Sequence, residues 1–386
     1  MKVLFLYSDW KWTGPAEPVL QMCQGLQARG HDVLLAHMAD AAVYKESVSQ
    51  KAVEYGLHTT TRFRLDRHLP PVGTARDLFA LPRFLARGRF DILHVHLTHD
   101  HALGGLCARL VPRRRRPLVV RTLHRRDVLR PTLGNRLLLR RLSDGCLTFT
   151  ESFRQRTLER FRLDPGQVGL QPMTVDIERF SPERRFADVR PTYGIPADAP
   201  LIGIVGRWQK YRKAEVFLDA AARVIEAEPA TRFMIIGRSS QMQESVVQPM
   251  RALGLQEHVI LPGYLIESYA DALNGLDIFT LLMPGFDGTA RAVREAMALA
   301  KPCVVADFGM LPEIVPDGVA GLVVPTDPQA LAAAWLALIR DPERRRRFGQ
   351  GARAHACEHF APHRVAPALE AFYQSLLAER RPPRPG

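Results

Sequence analysis

The chain has 386 residues, 46% of them hydrophobic and 24% charged, a balance that excludes a disordered chain and allows two domains with separate cores. No apolar run approaches the ~18 residues a membrane-spanning helix needs, and five cysteines with neither a C-x-x-C pair nor metal-ligand spacing read as reduced, buried thiols of a cytoplasmic protein. The net charge of +13 is uneven, with eleven arginines and one acid, Asp127, between Arg113 and Arg141: either an arginine-rich solvated face or a surface for anionic lipid, a lipid diphosphate or nucleic acid.

Lys2 to Tyr7 reads as a first core strand rather than a signal peptide. A loop carrying Trp10, Trp12 and Gly14 follows, then a helix over Glu17–Arg29 ended by Gly30, and a strand over His31–Ala36. The rhythm continues with a helix over 75–86, a strand over 92–95, a helix around 102–110, a strand over 118–122, a helix around 133–142 and a strand over 146–150. Strands alternating with helices predict a parallel, doubly wound sheet, whose ligands bind beyond the carboxyl ends of the strands. Three loops leave those ends with polar residues: Gly14; His94 and His96 with His99, Asp100 and His101; and His124 to Asp127. Strand alternation turns His94 away from Val95, a structural placement, and a lone His124 suits a strand-end cap as well as a ligand.

Residues 183–199, rich in proline and charge, read as a linker. The pattern restarts with a strand from Leu201 to Gly206, a loop from Arg207 to Lys213 and a helix from Ala214 to Ile225. Gly203 and Gly206 alone are too little for a dinucleotide fingerprint. Two cations six residues apart at a strand-to-helix junction, Arg207 and Lys213, better suit a diphosphate clamp. The strand Phe233–Ile236 ends at Gly237-Arg238-Ser239, and Val259–Leu261 leads to Gly263-Tyr264-Leu265. Helices follow over 325–340, 342–360 and 365–377.

Between Pro284 and Gly321 lie a polar loop ending at Asp287-Gly288, a helix-forming run from Thr289 to Leu299, a strand from Cys303 to Ala306 and a glycine- and proline-bearing turn. The first helical amides, near Gly288, Thr289 and Ala290, lack intrahelical acceptors and favour an anion. Glu295 stands eight residues after Asp287, about 12 Å along a helix. Two carboxylates would then flank the anion, one within reach of a sugar and the other of a ribose, whose paired hydroxyls suit carboxylate acceptors. Asp287 fits an N-cap and Glu295 a solvated helix residue equally well on spacing alone.

Asp287, seven residues, Glu295-Ala-Met-Ala298, Lys301-Pro302 and Phe308-Gly309-Met310-Leu311-Pro312-Glu313 together resemble the donor segment of GT-B fold, retaining glycosyltransferases of family 4, the glycosyl transferases group 1. Arg29-Gly30-His31-Asp32-Val33, Asp91-Ile-Leu-His94-Val-His96 and Thr122-Leu123-His124 extend the resemblance, more loosely, over the first half. The implied fold is α/β, GT-B: two Rossmann-like doubly wound parallel-sheet domains facing a cleft. An N-terminal acceptor domain would span 1–182, a nucleotide-sugar domain 200–362, and a last helix, 363–379, would return to the first domain. The resemblance implies that Asp287, with Gly288, Thr289 and Ala290, lies at the donor sugar and diphosphate, and that Glu295 binds the ribose. Arg207 and Lys213, after Gly206, would neutralise the leaving diphosphate, His124 would face the donor sugar, Gly14 would belong to the donor loop, and Tyr264 and Leu265 would contact the base. Several positions depart from the family pattern. Asp287 replaces glutamate; Pro15, Ala214, Ala290, Ala300 and Met310 stand where glycine is usual; Met173-Thr174 replaces Asn-Gly.

The implied activity is transfer of a sugar, with retention, from a UDP- or GDP-linked donor to a saccharide or lipid-linked acceptor in envelope or exopolysaccharide synthesis. No resident cofactor or metal is expected: there is no D-x-D run, and fixed cations can stabilise the leaving group. The alternatives are a nucleotide-sugar epimerase on the same fold, or an arginine-rich binding protein with a degenerate site. No nucleic-acid motif surrounds the arginines, so the partner expected for Arg113–Arg141 is an anionic membrane, at the inner face of the plasma membrane.

Overall fold

The computed structural model describes residues 1–12, 15–40, 47–66, 70–124, 128–284 and 290–380. The chain divides into two compact units, one formed by Met1–Thr174 with the C-terminal segment from Pro362, the other by Val175–Ala361.

Unit 1 is a parallel sheet of β1 (Lys2–Tyr7), β2 (Asp32–His37), β3 (Thr59–Thr60), β4 (Ile92–Val95), β5 (Leu118–Thr122), β6 (Gly145–Thr148) and β7 (Val168–Leu170). Its order is β3-β2-β1-β4-β5-β6-β7. The connecting helices are α1 (Ala16–Ala28), α2 (Val48–Glu54), α3 (Pro71–Gly88), α4 (Thr98–Leu110), α5 (Leu133–Arg141) and α6 (Glu151–Phe161). Strands β1, β4, β5 and β6 are near-continuous apolar runs because helices cover both faces. Val3, Phe5, Tyr7 and Val120 point to one layer, and Leu4, Leu6, Leu93 and Val119 to the other. Of the strands on either side of β1, β2 follows it in the chain, while β4 is reached only after β3. The strand order therefore reverses between β1 and β4, and this switch point is where a doubly wound sheet opens a crevice.

In unit 2 the strands are β8 (Leu201–Val205), β9 (Arg232–Ile236), β10 (Val259–Gly263), β11 (Ile278–Leu281), β12 (Cys303–Ala306) and β13 (Gly321–Val324), and the helices α7 (Ala214–Ala227), α8 (Gln248–Ala252), α9 (Tyr269–Asn274), α10 (Arg291–Ala298), α11 (Leu311–Ile314), α12 (Pro328–Ile339) and α13 (Pro342–His359). The sheet order β10-β9-β8-β11-β12-β13 puts the switch point between β8 and β11. The last helix, α14 (Pro362–Arg380), lies in unit 1. There Ala366 leaves no room for a side chain at Gly25 of α1, and Tyr373 reaches His94 of β4 at 2.5 Å.

Residues 183–199, set aside as a linker for their composition, pack within unit 2. Val189, Ile195 and Ala199 are buried, and Arg190 pairs with Asp277 at 2.9 Å. Proline and charge mark this segment as irregular but do not reveal that its few apolar side chains are buried. The unit boundary falls between Thr174 and Val175.

Candidate active site

Beside the switch point of unit 2, the end of β8 is tied to β9 and the end of β9 to β10. The Gly206 amide donates to Ile236 O at 3.0 Å, and the Gly237 amide to Gly263 O at 2.8 Å. A Cβ at Gly237 would lie 1.9 Å from the Gly206 carbonyl oxygen, and its φ of +127° is open only to glycine. The loop 207–213 is pinned by Trp208, which is buried and donates from Nε1 to Ile236 O at 3.0 Å. With Trp208 turned inward, Arg207 is left exposed. Arg212 crosses the switch point, donating from Nη1 to Met283 O at 2.9 Å, just past β11. Lys213 adopts φ +61° at the start of α7, with its half-exposed ammonium 3.4 Å from Glu215. With Lys210, four cations thus occupy the loop that leaves β8.

Helix α10 begins at Arg291, after Ala290 in the left-handed region at φ +44°. Asp287, Gly288 and Thr289 lie outside the described residues, as does Gly14 in unit 1. Glu295 is buried at 3% exposure, which removes the solvated-helix alternative. Tyr269 of α9 donates to its Oε2 at 2.6 Å, and Arg291 Nε donates to Oε1 at 2.7 Å. Burial, then the neighbouring carboxylate, push the Tyr269 phenol well above its ordinary pKa, so it remains a donor. Each carboxylate oxygen keeps a further lone pair for a hydroxyl. Tyr264 is half exposed after β10, under the Arg238 guanidinium 4.3 Å from its ring centre, and Leu265 packs partly against the core.

Of the glycine-to-other departures, Met310 suits its backbone and Ala290 and Ala300 do not. Met310 sits at φ −91°, where any residue fits. Ala290 and Ala300 sit at φ +44° and +56°. Ala300 closes α10 in a Schellman turn, its amide bonding Met297 O and the Lys301 amide bonding Ala296 O.

Unit 1 gathers histidines at its own switch point. His96, at the end of β4, lies 3.0 Å through Nδ1 from Nε2 of His124, at the end of β5, and stacks on Phe5. His94 spends both nitrogens on protein, on Thr122 at 2.7 Å and on Tyr373. His101 bonds Ser143 at 2.6 Å. Burial, helped by the Arg121 charge, pushes His124 down to about 3, and burial first holds His94, His96 and His101 well below the usual imidazole value. All four are neutral near pH 7. Asp100 accepts from the Leu97 amide at 2.8 Å, capping α4, while its Oδ1, His96 Nε2 and His124 Nδ1 have no partner among the described residues. Sequence reasoning passed over His96, Trp208, Arg212 and Tyr269. Arg212 and His96 lay inside loops already singled out; nothing local marked Tyr269, whose role comes from a contact 26 positions away.

Among the described residues no group of three His, Cys, Asp or Glu side chains is arranged to hold a metal, and no helix is long and apolar enough to cross a membrane.

Two Rossmann-like domains, each with a polar constellation at its switch point, define the GT-B architecture. Residues 13–179 match the family described as Glycosyltransferase Family 4, and residues 199–341 the family described as Glycosyl transferases group 1. The Anabaena protein HepE, solved in complex with UDP, superposes with a TM-score of 0.77 at 19% identity, covering 97% of this chain and 100% of that one. A D-inositol 3-phosphate glycosyltransferase of Nocardia farcinica is 29% identical over 243 residues, 61% of this chain and 53% of its own length. An N-acetyl-alpha-D-glucosaminyl L-malate synthase of Bacillus anthracis is 24% identical over 303 residues, 76% of this chain and 77% of its own. The chain spans about half the length of the inositol-phosphate enzymes it matches. It belongs to the GT-B glycosyltransferase family.

Proposed function

We propose that the chain transfers a sugar from a UDP- or GDP-linked donor to a hydroxyl of a saccharide or lipid-linked acceptor, with retention and without a metal. The observation that carries this is the unit 2 switch point. Its loop 207–213 brings cations together, and Glu295 is buried and oriented by Tyr269 and Arg291. Arg207 and Lys213 neutralise charge that grows on the diphosphate as the glycosidic bond breaks, an effect strongest when the donors are already in place. Glu295 takes the ribose hydroxyls on its remaining lone pairs. Asp287 and the amides at Gly288, Thr289 and Ala290 hold the sugar and phosphates, and Tyr264 and Leu265 border the base. The acceptor oxygen attacks, and its proton passes to the departing phosphate; neutral His124 orients a sugar hydroxyl.

HepE is solved in complex with UDP, which supports a nucleotide donor here. The named acceptors of the two relatives, an inositol phosphate and a malate, are anions, and the basic balance of this chain suits an anionic acceptor.

Calorimetric titration with UDP, GDP and ADP, repeated on Glu295→Ala and Lys213→Ala, tests the reading. Micromolar binding of one nucleotide, lost in both variants, is expected. Folded protein that binds none of the three would overturn it. A donor converted without any acceptor would instead identify an epimerase.

A further inference from the structure

Helices α3, α4 and α5 lie on one face of the unit 1 sheet. Leu81 and Leu85 of α3 and Leu103 and Cys107 of α4 share a layer with Leu93 and Val119. Arg121 of β5 follows Val119 by two and pairs with Cys146, so Leu139 of α5, which packs with Cys146, is on the same side. Arg109 Nε of α4 donates to Arg141 O of α5 at 3.0 Å, and Gly105 meets Leu142.

The outer surface of these helices is apolar where it should be polar. Val72 and Phe79 of α3 are 86% and 65% exposed, Leu106 and Leu110 of α4 are 45% and 60%, and Leu133 and Leu137 of α5 are 87% and 55%. These six are half of the twelve large apolar side chains exposed among the described residues, so exposed apolar surface is concentrated on these three helices. In α5 only Leu139 is fully buried; Leu133 and Leu137, one turn apart, point outward between Arg136, Arg140 and Arg141. In α3 the Arg83 guanidinium lies 3.4 Å from the Phe79 ring centre.

The same stretch carries little counter-charge, with Asp144 just beyond it pairing with Arg109 at 3.5 Å. Residues 71–142 hold sixteen arginines, no lysine and four acids. Asp77, Asp91 and Asp100 spend their carboxylates on the amides of Leu65, Lys2 and Leu97, and the fourth, Asp127, lies outside the described residues. Nearly all of the chain's charge of +13 is therefore carried by this stretch.

We propose that the α3–α4–α5 face of unit 1 docks on an anionic lipid bilayer. The leucines and Phe79 enter the acyl boundary, and the arginines lay their stems along the apolar surface with guanidinium groups on the lipid phosphates. Exposed leucines on two adjacent helices favour this occupant over nucleic acid: a phosphate backbone gives leucine nothing apolar to enter, and base stacking needs aromatic side chains. The proposal stands apart from the sugar-transfer reading, because neither the residues nor the assay involve a nucleotide.

The test is co-sedimentation of the full chain with vesicles of phosphatidylcholine alone, or with about a third of phosphatidylglycerol. The wild type is expected to bind the anionic vesicles at least tenfold more tightly than the neutral ones. Arg136→Gln with Arg140→Gln should weaken that binding by roughly 25-fold, since each arginine near the surface is worth about a factor of five. Leu133→Gln with Leu137→Gln should weaken it about tenfold with charge unchanged. The pair Leu106→Gln and Leu110→Gln repeats the test on a second helix, and unchanged thermal unfolding confirms that each variant folds. Leucine variants that bind like the wild type, or a polynucleotide that outcompetes the vesicles, would overturn the proposal. Nucleotide titration of the same variants should be unchanged, so failure here and failure of the donor site are separable.

Discussion

Lowering the pH from about 7.5 to about 5.5 should destabilise unit 1 far more than unit 2. His124 titrates at about 3 in the folded protein, and His94, His96 and His101 are held well below their ordinary value of 6.5. For a base whose folded pKa is lowered, the stabilising contribution is complete above the unfolded pKa. It is lost as pH falls through about 6.5 and continues to fall until the folded pKa is reached. At about pH 5.5 each unfolded imidazole gains about 1.4 kcal/mol from protonation, against about 0.1 kcal/mol at pH 7.5. Four such groups remove about 5 kcal/mol, comparable with the whole stability of a marginal domain. His37, also lowered by burial, adds to the loss. In unit 2 burial lowers His355 to about 4, which puts about one proton's worth at stake there. Hydrogen exchange resolved by peptide, with denaturant unfolding at each pH, separates the units. Uptake of three to four protons on unfolding β4 and β5 is expected, and about one fewer in His101→Asn. Uptake of one proton or none would refute the reasoning, because it would mean that the imidazoles are already charged or solvated in the fold.

Ala300→Gly should raise the stability of unit 2 by about 1 kcal/mol, the left-handed penalty of alanine less the chain entropy of glycine, whereas Met310→Gly, at an ordinary φ, should lower it; the urea midpoints decide. Tyr269→Phe removes a hydrogen bond to a buried carboxylate and should cost about 2 kcal/mol, with a parallel loss of nucleotide affinity in calorimetry. Gly237→Ala forces a side chain into the Gly206 carbonyl and should destabilise unit 2 by at least about 3 kcal/mol, visible as loss of soluble protein or a collapse in its melting temperature. His124→Gln should retain more turnover than His124→Ala, and the wild-type profile should show no His124 limb between about pH 5 and 8.

The layout of strands was legible because a parallel sheet covered on both faces needs largely apolar runs, and Cys303–Ala306 is such a run, as are Ile92–Val95 and Leu118–Thr122 apart from His94, Arg121 and Thr122. The loop 207–213 was legible from its cations. What the chain order concealed were contacts made only on folding. Trp208 reads as another loop residue until its indole is seen on Ile236 O, and Glu295 looks like any helical glutamate until Tyr269 arrives from α9. The left-handed backbone at Ala290 and Ala300 was invisible for a different reason. Alanine is a strong helix former, so the run Thr289–Leu299 reads as helical throughout, although α10 starts only at Arg291. Glycine would have signalled the turn, and the alanines carry the strain without announcing it.

The charge state of the unit 1 histidines limits what they can do. A hydrogen bond between His96 and His124 needs one imidazole to donate and the other to accept, which a neutral pair satisfies and a doubly protonated pair cannot. An imidazole titrating near 3 is a poor acid at pH 7, being already deprotonated, and a poor base, since general-base efficiency falls as the pKa drops below the working pH. It can still fix a hydroxyl in space. Under the proposed reaction, proton transfer must then fall to a group of higher basicity, and the phosphate released as the donor breaks, with a pKa near ~6, is the stronger base. The cations of loop 207–213 would stabilise that phosphate while leaving it basic enough to take the acceptor's proton.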